Sequence, residues 1–109
     1  MSSKELEGEI TQILTGPKLS AIKAMIEKDH AIDCLFLLLM EKGRWKEAKG
    51  FMNKHDLTLS DGTFRARMIE IEHLGLAKST QLDPLKKYYT ITPQGKKIAS
   101  MLLEVLKKV

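Results

Sequence analysis

Apolar residues recur along this chain at intervals of three and four, and breaks in that rhythm divide it into helical stretches and one pair of short strands. Leu6, Ile10, Ile13 and Leu14 form the stripe of a first helix over 3–14. Thr15-Gly16-Pro17 interrupts it, because proline suits the opening of a helix and not its interior. A second helix is predicted over 17–28, burying Leu19, Ile22, Ala24, Met25 and Ile26. Asp29 is the expected cap of a third, which carries Ile32, Leu35, Phe36, Leu38, Leu39 and Met40 and ends at Gly43. Apolar on most sides, that helix is the expected centre of the core. Residues 45–54 read as a shorter helix facing Trp45, Ala48, Phe51 and Met52 inward. Residues 53–59 read as a connection that tucks Leu57 and Leu59 under the next element.

The stretch from Ser60 to Gly95 is the most informative. Ser60 is a good N-cap for a helix over 60–74, and Asp61 complements its dipole. Phe64, Met68 and Ile71 share one face, while Gly62, Ala66, Ile69 and His73 lie nearly opposite. Gly75 suits a left-handed exit that satisfies the last carbonyls. Strands are predicted over 76–80 and 86–91, separated by Gln81-Leu82-Asp83-Pro84-Leu85, with Tyr89 and Ile91 toward the core and Tyr88 more exposed. Thr92 and Pro93 open a final helix, whose stripe runs through Ile98, Met101, Leu102, Val105, Leu106 and Val109.

Core helix, shorter helix, capped helix, two strands and closing helix follow the order of a winged helix-turn-helix. The predicted fold is therefore mainly α with a small β-hairpin, in one domain over 1–109. Residues 1–29 form an N-terminal helical extension, 30–91 the winged-helix core and 92–109 a C-terminal dimerisation helix.

Composition changes this picture only in part. Hydrophobic residues make up 43% and charged residues 29% of 109, the balance of a globular domain. The longest apolar run, Cys34 to Met40, is far short of a membrane span. Met1-Ser2-Ser3-Lys4-Glu5 lacks the layout of a secretory signal, and one unpaired cysteine suits a reducing compartment, so a cytoplasmic location is expected. The net charge of +4 is unevenly spread. Residues 1–33 carry four lysines against six acids, and residues 34–109 fourteen basic side chains against eight acids. The positive field belongs to the part holding the capped helix and the hairpin, where it attracts polyanions.

Residues 31–106 resemble MarR/HxlR-type winged-helix transcription regulators, HxlR-like ones most closely. Residues 31–43 are similar to that family's first core helix, and Gly43-Arg44-Trp45 to its glycine, basic and aromatic turn. Phe64, Arg67-Met68, Ile71, Glu72 and Gly75-Leu76 occupy the pattern of its recognition helix. Tyr89-Thr90-Ile91-Thr92-Pro93-Gln94-Gly95 matches the closing motif of its wing. The chain departs from the family in a longer connection through Asn53-Lys54-His55-Asp56-Leu57 and in a wing with lysines where arginines are usual. The resemblance implies a homodimer on double-stranded DNA, with helix 60–74 in the major groove and wing 76–91 on the backbone or minor groove. It also leaves room for a small-molecule effector of unidentified chemistry.

The residues expected to contact DNA follow. Ser60, Thr63 and Arg65 sit at the entry or flank of the helix, where hydroxyl and guanidinium groups reach phosphates or base edges. Arg67 lies close to the buried stripe, suited to a phosphate or to an internal pair. Glu70 and Glu72 repel phosphates, which concentrates contact in the first two turns. Lys78, Lys86 and Lys87 place ammonium groups along a backbone, although lysines also protect exposed sheet edges. Arg44, Lys46 and Lys49 form a third basic group, with Arg44 and Lys46 the expected backbone clamps.

Cys34 reads as core filler beside Leu35 and Phe36, and the resemblance adds a redox-sensor alternative. His30, His55 and His73 lack a second ligand at metal spacing. There is no glycine-rich phosphate loop, nucleophile elbow or paired catalytic carboxylate, so the expectation is a sequence-specific DNA-binding regulator with no enzyme activity, cofactor or metal. The competing expectation is a winged-helix module that binds protein within a larger assembly.

Overall fold

The computed structural model describes residues 2–84 and 86–109; Met1 and Leu85, the latter assigned above to the connection between the strands, lie outside them. The described residues form α1 (Ser3–Thr15), α2 (Pro17–Ile26), α3 (Ala31–Leu39), α4 (Trp45–Lys54), α5 (Asp61–His73), β1 (Ala77–Asp83), β2 (Lys86–Ile91) and α6 (Pro93–Lys107). The chain is mainly helical with one two-stranded antiparallel sheet.

α3 is the hub. Cys34, Leu35, Leu37 and Leu38 on α3, Met68 and Ile71 on α5, and Leu76 at the start of the ribbon are fully buried together. Met25, Ala31, Ala48, Phe64, Ala77, Tyr89 and Ala99 complete the cluster. The stripe expected on α5 is thus the face it buries, and Tyr89 turns inward while Tyr88 is half-exposed.

The residue that caps α3 lies one position later than the one assigned to it. His30, not Asp29, precedes the helix, in a left-handed conformation at φ 64° and with no side-chain cap bond. Its Nδ1 lies 2.8 Å from Asp33 Oδ2 instead. Ala31 N–H donates to Lys28 O, so the turn drops the chain straight into the core.

Gly43 does not end this helix either. Glu41 takes the left-handed position at φ 62°, while Lys42 N–H donates to Leu37 O and Glu41 N–H to Leu38 O. That crossed pair of bonds is the Schellman exit. Asp56 (φ 55°) closes α4 and Gly75 (φ 79°) closes α5 in the same way, with Leu57 N–H on Met52 O and Leu76 N–H on Ile71 O.

Gly43 serves the sheet. Its carbonyl accepts from Tyr89 N–H at 3.0 Å, and a Cβ there would lie 1.9 Å from Tyr89 O. Only glycine lets the α3–α4 loop lie along the outer edge of β2.

The ribbon is longer than the periodicity predicts. β1 continues through Gln81, Leu82 and Asp83, with Gln81 opposite Lys87, Asp83 opposite Lys86, and a register irregularity between Gln81 and Asp83. Asp83 organises this end: its carbonyl accepts from Gln81 Nε2 and its Oδ1 from Lys86 N–H, both at 2.8 Å. At the other end Thr92 Oγ1 accepts from Gly95 N–H at 3.1 Å and donates to Gly75 O at 2.8 Å.

The outer helices are less buried than their stripes suggest. No residue of α1 is buried, and on α2 only Ile22 and Met25 are, with Ile26 packed alongside. Leu19 and Ala24 are exposed: Ala24 lies about 200° around the helix from Ile22, and Leu19 sits beyond the core's edge, beside Ile13 and Met101. Leu57 is likewise exposed, whereas Leu59 packs on the core. On α6 only Gly95 and Ala99 are buried, and Met101, Val105 and Leu106 face outward. The molecule is correspondingly elongated, 51 × 31 × 22 Å with a radius of gyration of 15.5 Å, against about 13 Å for a compact domain of a hundred residues. Among the described residues no helix is long and apolar enough to cross a membrane.

Candidate nucleic-acid interface

The start of α4, the outward side of α5 and the turn end of the ribbon enclose a groove of about 470 Å³. Arg44, just before α4, and Lys46 in it border the groove, with Arg65 from α5 and Lys86 and Lys87 from β2. No acidic side chain lines it among the described residues. The groove also has aromatic walls. Trp45 and Phe64 meet at 5.3 Å between ring centroids, tilted by 49°, and Lys87 Nζ lies 5.6 Å from the centre of the Tyr89 ring.

Local chemistry explains how each cation is placed. Arg44 is the extended residue just before α4, held there because Gly43 is bonded to β2. Lys86 is the first residue of β2, fixed by its N–H on Asp83. Arg65 is 72% exposed and its Nε donates to Asp61 Oδ1 at 3.1 Å, one turn earlier on the same helix. Asp61 therefore orients this guanidinium as well as complementing the helix dipole.

The remaining expected contacts lie elsewhere. Ser60 Oγ accepts from Thr63 N–H at 3.1 Å and donates to Thr63 Oγ1 at 2.9 Å, so these two hydroxyls form the helix cap. Lys78 is exposed on β1 opposite Thr90, outside the groove. Arg67 is only 15% exposed; its Nη2 lies 3.3 Å from Glu70 Oε1, which Lys28 Nζ also reaches at 3.0 Å. Arg67 thus ties α5 internally rather than joining the groove.

Glu70 and Glu72, expected to repel phosphates, do not line the groove, although the charge of Lys87 acts on Glu72. Glu72 Oε2 accepts from the hydroxyl and the N–H of Ser79, the latter at 2.8 Å. The Ser79 hydroxyl holds the carboxyl below its ordinary range. This bond fixes the angle between α5 and the ribbon. Sequence spacing revealed neither it nor the Gly43–Tyr89 bridge, because each joins residues on different elements; the Asp61–Arg65 pair was readable from its spacing of four.

Cys34 is fully buried, and burial, with Asp33 nearby, pushes its thiol up to about 12, Arg67 only partly opposing. At neutral pH it stays protonated and unreactive. Among the described residues no three His, Cys, Asp or Glu side chains are grouped to hold a metal ion.

Neither a family model, nor a curated protein, nor a solved structure matches this chain. What the groove can do has to be argued from its own chemistry. It presents five fixed or steerable cations around one exposed helix face, a surface that concentrates polyanions.

Proposed function

We propose that the protein is a cytoplasmic, homodimeric winged helix-turn-helix regulator of transcription that binds double-stranded DNA in a sequence-dependent way. α5 is the recognition helix and the β1–β2 ribbon is the wing. The observation that carries this reading is the convergence of Arg44, Lys46, Arg65, Lys86 and Lys87, from three separate elements, on the outward face of α5. That face is slim where a groove wall has to pass. Gly62 is exposed with open space about it, and Ala66 follows one turn on. A 13-residue helix is about 20 Å long, and the major groove admits an α-helix.

Surface area supports the dimer. The chain exposes 7667 Å², whereas a compact 12.3 kDa monomer exposes about 6,100 Å². The surplus exceeds the roughly 800 Å² that each partner contributes to a standard interface. Much of the exposed apolar surface lies on α1, α2 and α6, where Ile13, Leu19, Ile22, Ile26, Ile98 and Met101 line a second groove of about 480 Å³. A two-fold pairing there presents two recognition helices to successive turns of a duplex.

The test is selection of bound fragments from genomic DNA by the wild-type chain and by Arg65→Ala. Wild type should enrich defined sites and the variant should lose them. Weak, salt-insensitive binding without enrichment would favour the protein-adaptor reading instead.

A further inference from the structure

The outward face of α5 carries one residue that suits neither solvent nor phosphate. Ile69 is 56% exposed, one turn beyond Arg65, and borders the same basic groove. A phosphate backbone offers an isoleucine nothing. In the major groove, however, thymine presents an apolar C5 methyl, the one base-edge feature such a side chain can read. Arg65 is prepared for a different edge. Asp61 takes its Nε, while its two terminal amino groups have no protein partner among the described residues. Such a fork fits the paired acceptors O6 and N7 of guanine.

Resting on the DNA-binding reading above, we infer that Ile69 is a specificity residue that contacts a thymine methyl, beside a guanine read by Arg65 with Asp61 as its positioning residue. Four residues advance an α-helix by about 6 Å, near two base-pair steps of about 3.4 Å each. The guanine and the thymine therefore stand about two base pairs apart, on either strand. Lys46, Lys86 and Lys87, bordering the same groove, supply affinity without choosing bases.

The test uses duplexes that the wild-type chain enriches from a random library, resynthesised with deoxyuridine for thymine or 7-deazaguanine for guanine. Enriched sites should pair guanine with thymine at that spacing. Deoxyuridine should weaken wild type about fourfold, the worth of one methyl group leaving water, and leave Ile69→Ala binding unchanged. Asp61→Ala should shrink the penalty for 7-deazaguanine, whereas Lys86→Ala should weaken all these duplexes alike. Equal deoxyuridine losses in wild type and Ile69→Ala, or enriched sites without the guanine–thymine pair, would overturn the inference while leaving DNA binding intact. No enriched duplex at all would remove the DNA-binding reading, and this inference with it.

Discussion

Replacing Lys86 and Lys87 together by glutamine should change how DNA binding responds to salt while leaving the fold in place. Both side chains are exposed; Lys87 lies over the Tyr89 ring at 5.6 Å and its charge also acts on the Glu72 carboxylate. An exposed cation–ring contact contributes about 0.5–1 kcal/mol, a small fraction of a domain's stability. If Arg44, Lys46, Lys86 and Lys87 each neutralise one phosphate, a dimer neutralises about eight, and affinity falls with salt at a log–log slope of about −7. Between about 50 and 200 mM salt that is a loss of roughly 10⁴-fold. The double variant keeps about four contacts, so its slope should be about −3.6 and its loss roughly a hundredfold over the same range. Fluorescence anisotropy with a labelled duplex measures both slopes, and thermal unfolding checks that the variant is folded. Parallel lines for the two proteins would refute the phosphate role and leave these lysines as protectors of a sheet edge.

Three further outcomes follow from the packing. Met101→Glu should convert the protein to a monomer by sedimentation equilibrium, because a carboxylate enters the apolar groove between α2 and α6; a variant that stays dimeric refutes that interface. Gly43→Ala should destabilise the domain by about 2 kcal/mol or more in denaturant unfolding, within the range for steric overpacking, since its Cβ would lie 1.9 Å from Tyr89 O. Cys34 should resist iodoacetamide in the native state at pH 8 and react after unfolding. Because its thiol is raised from 9.0 to about 12, its contribution to stability is present below pH 9 and is lost as pH rises toward 12. Native labelling at pH 8 as fast as in denaturant would refute the burial.

What could be read from the sequence was short-range. The caps at Ser60 and Thr92, the proline openings at Pro17 and Pro93 and the left-handed exit at Gly75 each depend on residues within one helical turn, and all are seen. The buried stripe of Phe64, Met68 and Ile71 follows from period alone. Glu41 makes the same exit as Gly75 with a side chain that ordinarily avoids it, and Asp56 with one that adopts it only on occasion, so neither stood out as glycine does. Extension of β1 through Asp83 depends on bonds made across the turn, which no alternation encodes. Arg67 illustrates the limit at the site. Its place beside the buried stripe left a phosphate contact and an internal pair both open, and only the fold, through Glu70 and through Lys28 in the turn after α2, selects the internal pair. Convergence of Arg44, Arg65 and Lys86 is a tertiary fact, and their spacing along the chain is silent on it.

Thr92 ties the motion of α6 to that of the α5–ribbon head. Its N–H donates to Leu76 O at 3.1 Å and its hydroxyl to Gly75 O, while Gly95 sits so close to Leu76 that a Cβ would lie 2.0 Å from its carbonyl. The root of α6 and the exit of α5 are thereby one joint without slack. If two copies pair through the groove that Ile98 and Met101 line, neither head can swing alone, and the tilt of the paired α6 helices sets the stance of both. On the DNA-binding reading, spacer length between half-sites would then be a property of that pairing, and a substitution far from the duplex would retune it without touching which bases are chosen.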